Sequence, residues 1–216
     1  PGFFDVVTWT GNSTQGRQIA HSLGSTPGMI LVKRLGSANW EVWHNSFGVN
    51  EYMALNSSGQ KYTSGGPWNG TAPTSTHFTI DSSGGDSDVN LNGEGYVAYL
   101  FGHNDASFGT DSDEAIIKCG TYTGGGNTSV EVNLGFEPQF VMTKAITSGT
   151  GWCVYDNMRG VVDSNQGDMQ LLIDDNDPQS NENRIDFYSQ GFRTENAGAP
   201  TNQSGETFVY MAIRRP

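Results

Sequence analysis

The chain has 216 residues and is acidic, with 23 Asp and Glu residues against 11 Lys and Arg and a formal net charge of −12 at pH 7. This charge argues against nucleic-acid binding, which needs clustered Lys and Arg, and against adhesion to anionic membranes. No apolar run approaches the roughly 18 residues of a membrane span, so we predict no membrane insertion. The 29 glycines are typical of many short strands joined by tight turns.

One segment of the chain occurs twice. Residues 23–33 and residues 134–144 share Leu, Gly, Pro and Lys at an offset of 111, and each is followed by a Trp-x-Val-aromatic segment. Such a period indicates a duplicated module. We therefore predict two domains, at residues 1–103 and 115–216, joined by an acidic linker at residues 104–114.

The predicted strands follow one another in the same order in both halves. Each half opens on a strand that ends in Thr-Gly, continues with an alternating strand and a continuous apolar strand, and closes on a strand that follows Gly-Glu. Alternation indicates half-buried strands, and a continuous apolar run indicates a central strand buried on both faces. Lys33 and Lys144 are predicted to emerge where that central strand ends. We predict an all-β fold of two tandem, duplicated β-sandwich modules, jelly-roll-like, with almost no helix.

Enzyme motifs are missing from the sequence. It contains no nucleophile elbow, no His-Glu-x-x-His, no P-loop and no dinucleotide-binding glycine motif. Two facing carboxylates would suffice for a glycosidase, but the sequence does not indicate which of the 23 acidic residues would face each other. We predict that the protein is not an enzyme, and we assign no catalytic residue.

One aromatic loop suggests ligand binding. Sugars stack on exposed Trp or Tyr rings while neighbouring polar side chains hydrogen-bond their hydroxyls. Trp68 lies in a loop that the second half lacks, with too few apolar neighbours in sequence to bury it. We predict that Trp68 is exposed and binds a ligand together with Asn69 and Tyr62. The alternative is that Trp68 packs in a subunit interface.

An acidic loop raises the question of a metal. Asp174, Asp175 and Asp177 offer oxygen atoms of the type that Ca²⁺ takes, about six to eight per ion. The segment does not match the EF-hand pattern, and a second acidic loop lies at residues 81–88. We predict no cofactor, with Ca²⁺ at Asp174, Asp175 and Asp177 as the alternative.

The two cysteines, Cys119 and Cys153, both lie in the second half of the chain. They would pair if their strands adjoined, because a disulfide requires closely spaced Cα atoms. The residues at the matching places of the first half are Val6 and Glu41, so the module itself needs no disulfide. The sequence leaves both alternatives open, a disulfide or two buried thiols.

The repeated motifs together resemble a known family. The combination of Thr-Gly, Leu-Gly-x-x-Pro followed by Lys, Trp-x-Val-aromatic and Gly-Glu is similar to a repeated domain of unknown function in tail-fibre-like proteins of marine and cyanobacterial phages. The resemblance covers residues 4–102 and 115–215. It implies a virion location and an adhesin or appendage module, and it supplies no catalytic residues. The first half departs from the pattern at Ser25, Thr26 and the Trp68 loop.

We therefore predict a non-enzymatic virion surface or tail-fibre-type module that recognises host-surface glycan as an adhesin. Its expected partners are other virion proteins, further copies of itself in a homo-oligomer, and host cell-surface polysaccharide. Two alternatives are a purely structural or decoration subunit of a phage appendage or capsid, and a polysaccharide depolymerase. The chain opens on Pro1 without a signal peptide, so we expect a fragment or processed piece of a longer protein that is located on the virion or outside the cell.

Overall fold

The computed structural model describes residues 2–82, 88–103, 114–161, 167–195 and 200–216. Residues 104–113 of the predicted linker and residues 83–87 of the second acidic loop lie outside this part of the chain. The described chain is almost entirely β, which confirms the predicted all-β class. Its one helical element is a 3-10 turn at Asn157–Arg159. No helix within the described ranges has the length and apolar character needed to cross a membrane.

The chain divides into two compact units. Unit 1 comprises Pro1–Asn56 and Lys61–Ile117, and unit 2 comprises Ser57–Gln60 and Lys118–Pro216. The short segment Ser57–Gln60 belongs to unit 2 although it lies in the first half of the sequence, which the repeat pattern does not indicate. The domain limits predicted from the repeat remain a prediction.

Unit 1 contains seven described strands in two antiparallel sheets. The strands are β1 (Phe4–Thr10), β2 (Arg17–Ala20), β3 (Met29–Arg34), β4 (Trp40–His44), β5 (Met53–Ala54), β6 (His77–Ile80) and β7 (Gly95–Phe101). The larger sheet has the order β1-β7-β3-β4-β5, and the smaller sheet pairs β2 with β6. The apolar strand β3 lies between two neighbours, as its continuous apolar sequence predicts.

Unit 2 repeats this order and extends it. Its strands are β8 (Ile117–Thr123), β9 (Val130–Asn133), β10 (Pro138–Ala145), β11 (Cys153–Asp156), β12 (Asp168–Leu172), β13 (Ser180–Glu182), β14 (Ile185–Tyr188), β15 (Gly191–Thr194) and β16 (Thr207–Arg214). The order β8-β16-β10-β11-β12 reproduces β1-β7-β3-β4-β5, and β9-β15 reproduces β2-β6. Unit 2 adds β13 to one sheet and β14 to the other. The duplication therefore extends to strand order, and the jelly-roll-like sandwich remains a prediction.

Each unit contains the same aromatic triad. In unit 1, Trp9 stacks on Tyr96 with ring centroids 5.2 Å apart and meets Phe78 edge-on at 5.8 Å. The rings at the corresponding places of unit 2 are Tyr122, Phe208 and Phe192. There the stacked centroids lie 4.9 Å apart and the edge-on centroids 5.7 Å apart. Because such pairs add about 0.5–1.5 kcal/mol beyond the burial of their area, this geometry explains why aromatic residues recur at these places.

A buried asparagine joins two turns in each unit. Asn90 accepts a hydrogen bond at Oδ1 from the backbone N–H of Asn12 (3.1 Å), and its Nδ2 donates to the carbonyl of Thr14 (2.7 Å). Asn202 does the same in unit 2. Its Oδ1 accepts from the N–H of Gly125 (2.8 Å), and its Nδ2 donates to the carbonyls of Gly126 (2.9 Å) and Thr128 (3.1 Å). Both asparagines are fully buried, so they are structural parts of the repeat.

The glycine of each Thr-Gly signature lies where a side chain cannot fit. A Cβ atom on Gly11 would lie 2.0 Å from the carbonyl oxygen of Leu91, and a Cβ atom on Gly124 would lie 2.1 Å from that of Gln203. These distances are far shorter than any contact between non-bonded atoms. The close approach of the two backbones therefore requires glycine at both places.

The two repeated lysines bind backbone carbonyls of the turn that follows their strand. Nζ of Lys33 donates to the carbonyls of Arg34, Gly36 and Ala38, at 2.5, 2.8 and 3.2 Å. Nζ of Lys144 donates to those of Ala145 (2.9 Å) and Ser148 (3.4 Å). Lys144 is fully buried, and this burial lowers its pKa to about 8. The expectation that Lys144 emerges from the strand is wrong, because its amine closes the turn from inside.

The two cysteines are buried thiols. Cys119 lies on β8 and Cys153 on β11, and no disulfide joins them. Burial raises the pKa of both thiols. The structure therefore selects the second of the two alternatives that the sequence left open.

Candidate functional site

Trp68 is not exposed. Only 1% of its surface is accessible, and it belongs to the hydrophobic core of unit 1 together with Trp43 and Phe78. Its loop is held against the end of β6, where the N–H of Asp81 donates to the carbonyl of Pro67 (2.8 Å). The prediction of exposure is wrong, because the apolar neighbours of Trp68 come from distant parts of the chain. A buried indole offers no face to a sugar or to a second subunit, and we do not propose Trp68 as a ligand residue.

The other two predicted ligand residues have separate surroundings. Tyr62 is 46% exposed and stacks on Tyr52 with ring centroids 4.7 Å apart. Asn69 is half-buried and has a φ of 48°, which is typical of Asn in tight turns. Since Trp68 lies in the core, the three residues do not form the exposed binding surface that the sequence predicted. Ligand contact by Tyr62 or Asn69 remains a prediction.

The acidic loop after β12 uses its carboxylates to close turns. Oδ1 of Asp174 accepts from the N–H of Trp152 (2.6 Å), and Oδ1 of Asp175 accepts from the N–H groups of Asn176 (2.6 Å) and Asp177 (3.3 Å). Within the described ranges, no group of three or more His, Cys, Asp or Glu residues is arranged to hold a metal ion. The structure therefore does not bring Asp174, Asp175 and Asp177 together as a cation site.

The surface of unit 2 carries a polar cleft of about 730 Å³. This volume lies within the roughly 300–1,000 Å³ of small-ligand sites. The cleft is lined by Glu131 of β9, Arg193 of β15, Tyr188 of β14, and Glu137 and Arg215 beside the ends of β10 and β16. Strand β14, which supplies Tyr188, is an addition of unit 2 to the repeated order.

Strand pairing aligns the charged side chains of the cleft. Arg193 lies directly opposite Glu131 on β9 and directly opposite Asp186 on β14. Directly opposed residues point to the same face of a sheet. Because residues two apart on a strand also share a face, Tyr188 lies on the same side as Asp186. One face of the β14-β15-β9 sheet therefore carries a row of acid, base and acid across its strands, in which Asp186 is buried, and Tyr188 lies two residues along β14 from Asp186.

Arg193 is held by two carboxylates. Its Nη2 donates to Oδ2 of Asp186 (2.8 Å), and its Nε donates to Oε1 of Glu195. Asp186 is fully buried, and its Oδ1 has no hydrogen-bond partner in the part of the chain that the structure describes. Burial raises the pKa of Asp186, although the hydrogen bond from Arg193 acts in the opposite direction. The two carboxylates in turn raise the pKa of Arg193, so the guanidinium is charged and fixed in place.

The second arginine that lines the cleft is also paired. Nη1 of Arg215 donates to Oε1 of Glu137 (2.5 Å), and both side chains are accessible to solvent. The positive charge of Arg193 and of Arg215 is therefore compensated by neighbouring carboxylates. Guanidinium N–H groups of Arg215 other than the one bound to Glu137 can donate to a ligand.

A mainly apolar slot of about 470 Å³, which Gln139, Asp156 and Arg159 also line, adjoins the cleft, and Asn157 lines both. Phe140 of β10 lies directly opposite Ile213 of β16, so both side chains point to the slot side of the sheet. Met158 stands at the tip of the 3-10 turn and is 91% exposed. Asp156 caps this turn by accepting a hydrogen bond from the N–H of Arg159 (2.8 Å). The turn therefore holds Asn157 and Met158 at the boundary between a polar and an apolar surface.

These features define an all-β protein of duplicated strand order whose second unit carries a charge-compensated cleft beside an apolar slot. The chain belongs to the family described as Domain of unknown function (DUF7483), whose model matches residues 2–215. One family domain thus spans both units, and the duplication lies within it. No curated protein and no solved structure matches this chain.

Proposed function

We propose that the chain is a non-enzymatic carbohydrate-binding module and that the cleft of unit 2 is its ligand site. The observation that carries this proposal is the position of Tyr188 beside the fixed guanidinium of Arg193. Sugars present apolar C–H faces that stack on an aromatic ring, and hydroxyls that bond to planar charged side chains. A half-buried tyrosine next to an immobilised arginine provides both kinds of contact.

The charges of the cleft favour an uncharged glycan. Arg193 and Arg215 each have a carboxylate partner, and Glu131 adds a further negative charge. An anionic sugar would meet little net positive charge there, whereas neutral hydroxyls can donate to carboxylates and accept from guanidinium N–H groups. Binding is accordingly expected to depend only weakly on ionic strength.

The wider role that we propose is that of an adhesin on a virion surface or tail fibre. It rests on the resemblance of the repeated motifs to phage tail-fibre-like proteins. Its partners would be other virion proteins, further copies of the chain and a host cell-surface polysaccharide. A glycan cleft on an acidic module is consistent with such a role.

One observation favours the structural-subunit alternative. Phe4 and Val6 are both more than 40% exposed on β1 of unit 1. The ring of Phe4 lies 5.1 Å from that of Phe101 on the neighbouring strand, which makes the exposed apolar area contiguous. Contiguous apolar surface is typical of protein interfaces. An interface on unit 1 and a glycan site on unit 2 are compatible.

Replacing Tyr188 with Ala is expected to weaken glycan binding at least tenfold, or about 1.4 kcal/mol, because the stacking platform is lost. The measurement is a titration of the neutral glycan that binds best in an array of host-surface polysaccharides. Tyr62→Ala is the matched control, since it removes an exposed tyrosine from unit 1. Thermal unfolding of both variants shows whether the hairpin of β14 and β15 stays folded. Equal binding by the two variants, or binding lost only in Tyr62→Ala, contradicts the proposed site. Release of reducing ends from the glycan would indicate a depolymerase.

A further inference from the structure

We infer that the preferred ligand carries an acylated amino group, so that the glycan contains an N-acetylated amino sugar. This inference rests on the proposed function, because it concerns the same cleft. The observations that carry it are the apolar slot next to the polar cleft and the asparagine at their junction.

The slot provides an apolar surface for a small alkyl group. Phe140 and Ile213 are half-buried cross-strand neighbours, and Met158 projects from the 3-10 turn beside them. In the proposed site the C–H face of a sugar ring stacks on Tyr188, and hydroxyl substituents that reach the slot gain nothing from contact with its apolar side chains. A methyl group attached to the sugar does gain, because its transfer from water to an apolar environment is favourable.

The side chain of Asn157 favours one kind of methyl-bearing group over others. Its side chain is half-buried, lines both cavities and takes part in none of the hydrogen bonds that the described residues make. A side-chain amide offers one carbonyl acceptor and two N–H donors. An acetamido group offers the complementary N–H and C=O, with a methyl group directly attached. Bound across the junction, it would pair its amide with Asn157 and place its methyl group against Phe140 and Met158.

A second source of a methyl group is the C6 atom of a 6-deoxy sugar. Such a sugar can fill the slot but leaves the amide of Asn157 without a partner from the ligand. An amide that the bound ligand covers and leaves unpaired makes binding less favourable. The acetamido group is therefore the better match, and a 6-deoxyhexose oligosaccharide serves as a separate arm of the test.

The test compares β-1,4-linked tetramers of N-acetylglucosamine and of glucose by isothermal titration calorimetry. The two probes are uncharged and share linkage and ring stereochemistry, so they differ in the substituent at C2. We expect the N-acetylglucosamine tetramer to bind at least tenfold more tightly. Equal affinity for the two tetramers overturns this inference and leaves the proposed function in place. If neither tetramer, the 6-deoxyhexose oligosaccharide nor any array glycan binds, both are overturned.

Two variants test which residues cause the preference for the N-acetylglucosamine tetramer. Asn157→Ala and Met158→Ala are each expected to reduce the ratio of the two affinities toward one, and Asn92→Ala, at an exposed position of unit 1, is expected to leave the ratio at its original value. A ratio that persists in both cleft variants overturns the inference. Binding of the 6-deoxyhexose oligosaccharide as tight as that of the N-acetylglucosamine tetramer, and insensitive to Asn157→Ala, overturns it as well.

Discussion

Replacement of Arg193 with Met is expected to lower the free energy of unfolding of unit 2 by about 3–5 kcal/mol. The variant leaves the fully buried carboxylate of Asp186 without the cation that now donates to it at 2.8 Å. Removal of one partner from a buried pair leaves an uncompensated charge in a medium that solvates it poorly. Urea denaturation at pH 7 measures this loss.

Control variants distinguish the effect of leaving a buried charge unpaired from the effect of removing a positive charge. Arg215→Met breaks the solvent-accessible pair with Glu137, so we expect a loss of less than about 1 kcal/mol. The double variant Arg193→Met with Asp186→Asn removes the orphaned charge and is expected to recover part of the stability. A loss in Arg193→Met no larger than that in Arg215→Met would show that Asp186 does not depend on its partner.

The loss of unfolding free energy in Arg193→Met is expected to depend on pH. Burial already raises the pKa of Asp186, and removal of the guanidinium raises it further. An acid with a raised pKa in the folded state stabilises that state below its unfolded pKa of about 3.9, and this contribution disappears as pH rises through the folded pKa. The difference in unfolding free energy between wild type and variant is therefore largest at pH 7 and smaller at pH 4. When Arg193→Met is compared with wild-type Arg193 in proteins that both carry Asp186→Asn, this dependence on pH should disappear.

Asn202→Ala is expected to lower the unfolding free energy of unit 2 by about 2–4 kcal/mol, because buried backbone groups left without a partner are each destabilising by about 1–3 kcal/mol. The variant leaves the N–H of Gly125 and the carbonyls of Gly126 and Thr128 without their side-chain partner. Urea denaturation again provides the measurement.

The repeat supplies a duplicate and a control for this prediction. Asn90→Ala should destabilise unit 1 by a similar amount, because Asn90 makes the equivalent bonds there. Gln203→Ala removes an exposed amide from the neighbouring position and should change the stability by less than about 0.5 kcal/mol. A change in Asn202→Ala as small as that in Gln203→Ala would rule out the structural role of the buried asparagine.

The all-β class and the duplicated strand order could be predicted because the pattern of each repeated strand occurs twice in the sequence. The structural asparagines could also have been found, since Asn-x-x-Gly-Glu occurs at residues 90–94 and 202–206. Because Asn is abundant in this chain, the recurrence of one Asn three residues before Gly-Glu does not by itself indicate a structural role. Burial of Lys144 could not be read from the sequence, because Lys at the end of a strand usually reaches solvent.

The predicted exposure of Trp68 is wrong for a physical reason. The residues next to Trp68 in the chain are too polar to bury it, whereas the apolar side chains that surround it in the core, such as Trp43 and Phe78, come from β4 and β6. The cleft depends on the pairing of β14 with β15 and of β15 with β9, which joins residues about 60 positions apart. The alternation in Asp186 and Tyr188 and in Arg193 and Glu195 is visible in the sequence, but no local pattern indicates which strands become neighbours.

The central claim is that unit 2 binds a glycan in the cleft beside Tyr188. Its most direct test is a map of backbone amide chemical shifts recorded while the N-acetylglucosamine and glucose tetramers are titrated in turn. We predict saturable shifts that cluster at Glu131, Glu137, Asn157, Tyr188 and Arg193. Shifts that cluster around Tyr62 in unit 1, or spectra that neither tetramer changes, would contradict the claim.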